Sequence, residues 1–152
     1  MGLENEFVWR LAAAALLGAL LGLERSLAGK HAGMRTYALV SMGSALFTVL
    51  GIAASYQFSM FPGVNPLQLA GFVIVGIGFI GSSLGGLGGS HPAELTTASG
   101  VWVAAGIGIA AGFGYGSVAF AATVFAILIF SVLARVEHKI RTKFGERYAQ
   151  HE

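Results

Sequence analysis

The chain is 152 residues long, 55% hydrophobic and 11% charged, with a mean hydropathy of +0.75 and a formal net charge of +2. Water-soluble domains carry about 25% charged residues, so an ordinary soluble globule is excluded and lipid is the expected solvent. The length suits one domain, and the absence of cysteine removes disulfide frameworks, thiolate metal sites and cysteine nucleophiles.

Five apolar runs approach the roughly 20 residues needed to cross hydrocarbon: residues 7–23, 36–55, 67–84, 95–112 and 115–134. Arg10 is the one charged residue inside them, close enough to the start of the first run to snorkel outward. The other charges fall in connections and tails, as expected when a central Lys or Arg costs about 2.5–3.5 kcal/mol. A cleaved leader is not expected, because the residues before the first run carry Glu4 and Glu6 and no basic residue. Ala14, Gly18 and Gly22 recur every four residues and form a small-residue ridge suited to close helix approach.

The first connection, residues 24–35, gathers Glu24, Arg25, Lys30 and Arg35, with Thr36 following. Glu24 ends the first predicted helix and Arg35 opens the second, each with the sign its helix dipole disfavours. A hairpin brings these ends together, and an ion pair between Glu24 and Arg35 would offset both penalties. The functional alternative is that Glu24 and nearby carbonyls hold a cation, while Arg35 and the amides behind it hold an anion or a lipid phosphate.

In the third run Gly76, Gly78 and Gly81 spell GxGxxG. A dinucleotide site needs a preceding strand, a helix starting at the turn and an acidic residue about 20 positions on; inside an apolar run these are helix-packing glycines. With Ser82, Ser83, Gly85, Gly86, Gly88 and Gly89, the end of this run reads either as a broken or re-entrant segment or as a flexible connection. Glu94 opens the fourth run just behind Pro92, where both residues suit a helix start. The hydroxyls of Thr96, Thr97 and Ser99 are available to preceding carbonyls or a neighbouring helix. Gly100, Ala104, Gly108, Gly112 and Gly116 make a second four-residue ridge, expected to pack within the bundle in preference to a subunit interface. His31, His91, His138 and His151 lack ligand spacing, and HExxH is absent.

Beyond the fifth run, Val136, Ile140, Phe144 and Tyr148 repeat at four-residue intervals among Arg135, Lys139, Arg141, Lys143 and Arg147. This predicts an amphipathic helix lying on anionic headgroups. Nucleic acid is not the expected partner, because it would leave the apolar stripe without a function. Five crossings put eight of the nine basic residues on one face, and the positive-inside rule makes that face cytoplasmic, with the N-terminus outside. The expected fold is therefore all-α: a polytopic membrane bundle of five transmembrane helices within residues 1–134, followed by a basic amphipathic cytoplasmic tail over residues 135–152.

The ordered motifs resemble a known family. Gly22-Leu23-Glu24-Arg25, then Ala32-Gly33-Met34-Arg35-Thr36, Leu39-Val40 and Gly43-Ser44-Ala45-Leu46 are similar to the signature of the MgtC/SapB family of bacterial inner-membrane proteins. Gly76 through Gly81, Leu95-Thr96-Thr97-Ala98, and Trp102 followed by Ala104-Ala105-Gly106-Ile107-Gly108 match its later blocks in order, so the likeness covers residues 8–134. The family's Arg and Gln before the third block are replaced here by Gln68 and Phe72, which removes the polar interactions those positions imply. Many members append a soluble cytoplasmic domain; the resemblance covers the hydrophobic domain, and a function residing in the appended one does not carry over to these residues.

The resemblance implies growth under magnesium limitation and, in some pathogens, survival inside host cells. The activity it implies is either Mg²⁺ transport or regulation of other membrane proteins, ATP synthase among them. Mg²⁺ takes a near-octahedral oxygen shell, usually including one or two carboxylates. This chain has no aspartate and no carboxylate inside any run, leaving Glu24 and Glu94 as span-edge candidates on the inner face. The leading reading is a non-enzymatic membrane protein that associates through helix packing with itself or with another membrane protein. The alternative is a transporter of Mg²⁺ or another small ion using Glu24, Glu94, Thr96 and Thr97. No nucleophile lies beside a base and no cofactor loop is present, so an enzyme is not expected.

Overall fold

The computed structural model describes residues 2–58, 65–84 and 92–148. Among these, every regular element is helical: α1 (Gly2–Leu27), α2 (Met34–Gln57), α3 (Pro66–Leu84), α4 (Pro92–Gly112), α5 (Gly116–Leu128), a π-helical turn (Ile129–Leu133) and α6 (Ala134–Tyr148). Among the described residues four stretches are long and apolar enough to cross a membrane: Glu4–Leu27, Met34–Gln57, Leu95–Gly112 and Gly116–Glu137. The 24 residues of α2 rise about 36 Å, against a hydrocarbon core of about 30 Å. The third apolar element is the short one, with Pro66–Gly81 falling below the length of the other four. It stays helical to Leu84, and the glycine-rich stretch beyond it, where a broken or re-entrant segment was an option, lies outside the described residues.

Contacts between helix ends fix an up-and-down order. Gly22 near the end of α1 lies against Met34 at the start of α2, and Gly51 near the end of α2 lies against Pro66 at the start of α3. Gly81 of α3 meets Ala98 of α4, and Arg10 near the start of α1 bonds the last residue of α4. One end of the bundle thus carries Arg10, while the other carries Arg25, Lys30, Arg35 and the start of α6.

Packing is the reverse of a water-soluble core. The buried positions are mostly small, including Ala14, Ala45, Ala104, Ala105, Ala111 and Ala119, whereas Trp9, Leu16, Phe47, Phe72, Phe79, Trp102 and Phe125 are largely exposed. Where hydrocarbon is the solvent, burying a large apolar side chain gains little over leaving it in lipid, and close backbone approach drives association. Helix α4 packs against α1, α2, α3 and α5. Its Gly108 and Gly112, with Gly18 of α1, clasp a ridge of α2 made by Tyr37, Ser41, Ser44 and Thr48. An added Cβ would fall 2.0 Å from the Ser41 carbonyl oxygen at Gly108, 2.7 Å from the Thr48 Cβ at Gly112 and 2.5 Å from the Tyr37 carbonyl oxygen at Gly18. The glycines of α3 differ: a Cβ at Gly76 or Gly78 meets open space, and one at Gly81 makes ordinary contact with Ala98. Gly116 also meets open space, since the chain reverses between α4 and α5 before reaching it.

Two hairpins close by the same local device. After α1 the Lys30 amide donates to the Arg25 carbonyl at 3.0 Å and the Gly29 amide to the Ser26 carbonyl at 3.1 Å. Gly29 takes φ +67°, a conformation costly for residues with a Cβ. After α4, Tyr115 donates to Ala110 and Gly114 to Ala111, both at 2.9 Å, and Gly114 has φ +89°. These are Schellman closures, which satisfy carbonyls that a helix end leaves unpaired. Ser26 then caps the next helix: its Oγ accepts the Met34 amide at 3.0 Å, a role that Gly33 at the N-cap position cannot perform with a side chain.

Candidate functional site

The polar centre lies at the end of the bundle that carries most of the basic residues. Helix α1 continues past residue 23 to Leu27, which puts Glu24 and Arg25 in its last turn. Arg25 is 3% exposed. Its Nε donates to Glu24 Oε2 at 2.5 Å, and its guanidinium carbon lies 3.7 Å from the centroid of the Phe130 ring. A guanidinium over an aromatic face is held by the ring quadrupole, more strongly where water is excluded. Phe130 belongs to the π turn, so this stack ties α1 to the place where α5 passes into α6.

Beside it, the Tyr37 hydroxyl donates to the Thr97 carbonyl at 3.3 Å across a buried α2–α4 contact. Gly100 makes room for the group: a Cβ there would lie 2.3 Å from Tyr37 Oη and 2.7 Å from Phe130 Cζ. Farther in, Ser44 Oγ donates to the Val40 carbonyl at 2.8 Å and Thr48 Oγ1 to the Ser44 carbonyl at 2.9 Å. Both hydroxyls are thereby satisfied within their own helix. Ser41 Oγ, fully buried, has no partner among the described residues.

The expected Glu24–Arg35 ion pair is not formed. Glu24 pairs with Arg25, and among the described residues no ion pair reaches Arg35, which is exposed at the start of α2. The physical reason is the extra turn of α1. Arg25 in that turn supplies the positive charge that the carbonyl end of a helix favours, and Phe130 keeps it within reach of Glu24. Lys30 is exposed in the connection and Thr36 is half-buried. Thr97 is buried at the centre and Thr96 is exposed away from it. Glu94 lies in the first turn of α4, and its side chain lies outside the described residues. Among the described residues no three His, Cys, Asp or Glu side chains gather as a metal site. Tyr37 and Phe130 enter the centre unannounced; a hydroxyl at the start of an apolar run was a signal for the former, whereas nothing in the spacing singles out Phe130.

At the opposite end Arg10 does more than snorkel. Its Nη1 donates to the Gly112 carbonyl at 2.9 Å and its Nη2 pairs with Glu6 Oε1. With Ala110 and Ala111 engaged by the Schellman closure, three successive carbonyls at the end of α4 are all satisfied.

A family model described as the MgtC family matches residues 11–139. "Putative magnesium transporter YhiD" of Escherichia coli K12 is 34% identical over 143 residues, covering 91% of this chain and 65% of that protein. "Protein SrpB" of Synechococcus elongatus is 36% identical over 138 residues, covering 85% of this chain and 75% of the relative. "Protein MgtC" of Salmonella typhimurium LT2 is 37% identical over 129 residues, covering 85% and 52% respectively. The chain thus spans less than two thirds of the YhiD length and about half that of MgtC. No solved structure matches. The matched helices, their inverted packing and the ordered glycine motifs together make this chain a multi-pass helical membrane protein that belongs to the MgtC family.

Proposed function

We propose that the protein is a non-enzymatic regulator of other membrane proteins in the bacterial inner membrane, acting under magnesium limitation through helix-to-helix association with itself or with a partner. The observation that carries this reading is the condition of Glu24. Its carboxylate is engaged by a buried guanidinium at 2.5 Å, so its charge is already balanced and one oxygen is occupied. That is a poor offer to Mg²⁺, which demands an ordered oxygen shell and gives up its waters reluctantly. Behind this pair the helices meet directly at Gly18, Gly108 and Gly112, and the Ser44 and Thr48 hydroxyls bond their own helix. Surface suited to association lies on the flank: an apolar groove of about 530 Å³ between α2 and α3, with Gly43 and Gly76 among its lining residues and Phe47 and Phe72 alongside. The magnesium link comes from the name of the E. coli relative. The positive-inside rule supplies the orientation, with the Arg25 end and α6 in the cytoplasm.

The second reading, transport of Mg²⁺ by way of Glu24, Glu94 and the Thr96/Thr97 region, is favoured by the name of the E. coli relative. Reconstitution separates the two. The full chain in liposomes with a trapped Mg²⁺-sensitive dye is expected to give no flux above protein-free liposomes. In membranes of magnesium-limited cells, a photocrosslinker at Phe72 is expected to give a discrete adduct that disappears when Gly43 and Gly76 are replaced by leucine. A Mg²⁺ flux abolished by Glu24→Gln in a bundle that remains folded would establish the transporter instead.

A further inference from the structure

Helix α6 carries two parallel rows. Val136, Ile140 and Phe144 repeat every four residues, and Arg135, Lys139 and Lys143 repeat at the same interval one position earlier. Successive helical residues are about 100° apart, so the register sets a basic row beside an apolar one. Arg135, Lys139 and Lys143 are exposed, as are Val136 at 48% and Ile140 at 52%. Leu133, also exposed, continues the apolar row into the π turn. Helix α6 packs chiefly against that turn, and no other element covers the two rows among the described residues.

Their cover must be apolar on one side and anionic on the other. A second copy of α6 would supply the first but would set its own five basic residues, against two acidic ones, beside an identical set. A nucleic acid would meet the basic row and leave the apolar row in water. The edge of an anionic leaflet supplies both, with phosphates at headgroup level and acyl carbon just beneath. The helix also starts in the right place, because α5, the π turn and α6 follow one another without a break and the apolar span ends at Glu137, within the first turn of α6. A π turn is an interruption of the regular helix ladder at which helices bend. We propose that the chain turns at Ile129–Leu133 and that α6 lies along the leaflet from which α5 emerges, its Arg135–Lys139–Lys143 row on anionic phospholipid headgroups and its Val136–Ile140 row in the acyl boundary.

The lack of cysteine allows a single reporter: Ile140→Cys carrying an environment-sensitive dye, in the full chain, in nanodiscs of phosphatidylcholine with or without equimolar phosphatidylglycerol. The expected result is blue-shifted emission, quenched by a lipid-borne spin label, in the anionic discs and water-like emission in the zwitterionic ones. Lys139→Glu with Lys143→Glu in the same background is expected to abolish the shift and the quenching, and raised salt to weaken both. Three results would overturn the proposal: equal burial of the dye in both lipids, burial only in discs holding two copies, or water-like emission throughout.

Discussion

Arg25 combines a buried charge, a partner next to it in sequence and an aromatic face, and each part has its own sensitivity to substitution. Breaking a buried ion pair by removing one partner costs about 3–5 kcal/mol, because the survivor is left uncompensated. Arg25→Ala is therefore expected to destabilise the bundle by about that much in a reversible detergent titration. Arg25→Lys restores the charge but not the planar stack on Phe130, so it should recover less than half of the loss; wild-type stability in the lysine variant would show that the stack is idle. Ser41 has the opposite sign. A buried hydroxyl without a partner forfeits about 1–3 kcal/mol, and Ser41→Ala is expected to raise stability by about 1 kcal/mol, whereas a loss would mean that the hydroxyl is engaged after all. The charges at residues 24, 25 and 35 mark the connection as polar in sequence, but their pairing is illegible there. Neighbours at i and i+1 do not normally face each other on a helix; Arg25 reaches Glu24 while lying on a ring more than a hundred residues away in sequence.

At the scale of elements, α4 sorts its glycines by what they touch. Gly106 faces open space, while Gly108 faces a carbonyl oxygen 2.0 Å from an added Cβ. Alanine is favoured over glycine inside a helix by about 1 kcal/mol, so Gly106→Ala is expected to be neutral or stabilising by up to that amount. Gly108→Ala should instead separate α4 from α2 and lower thermal stability markedly. Equal melting temperatures for the two variants would remove the close approach from the account. The four-residue ridge in α4 is legible from the sequence alone, since its cause is the geometry of a single helix. The same reasoning fails for Gly76 and Gly78, because spacing shows that a face is small without showing whether a neighbour lies against it. The caps follow this division too. Gly29 and Gly114 stand one residue past a helix's closing turn, where a left-handed conformation is expected, but Arg10 capping α4 joins residues 102 positions apart and has no local trace.

At the scale of the molecule, the bundle ends differ in charge, with Arg10 at one and the remaining eight basic residues at the other or beyond it in α6. Cysteines introduced singly at Lys30 and Thr142 are expected to react with a membrane-impermeant maleimide only after the cell is opened, whereas one at Gly114 should react in intact cells. Labelling of position 30 from outside would reverse the orientation drawn from the positive-inside rule. Helix number, inverted packing and the uneven charge are legible because they follow from the solvent, which composition reveals; the course of the chain between α3 and α4 is not, because five glycines and serines over residues 85–90 suit many backbones equally. The central position of α4 also has a consequence for biogenesis. It leaves the ribosome after three other helices, yet its Gly108 and Gly112 complete the cover over Ser41, Ser44 and Thr48 of α2, where Gly18 of α1 already lies against Ser41. A nascent chain halted before Pro92 lacks the α4 side of that cover, so the bundle closes over Ser44 and Thr48 only when α4 has joined it.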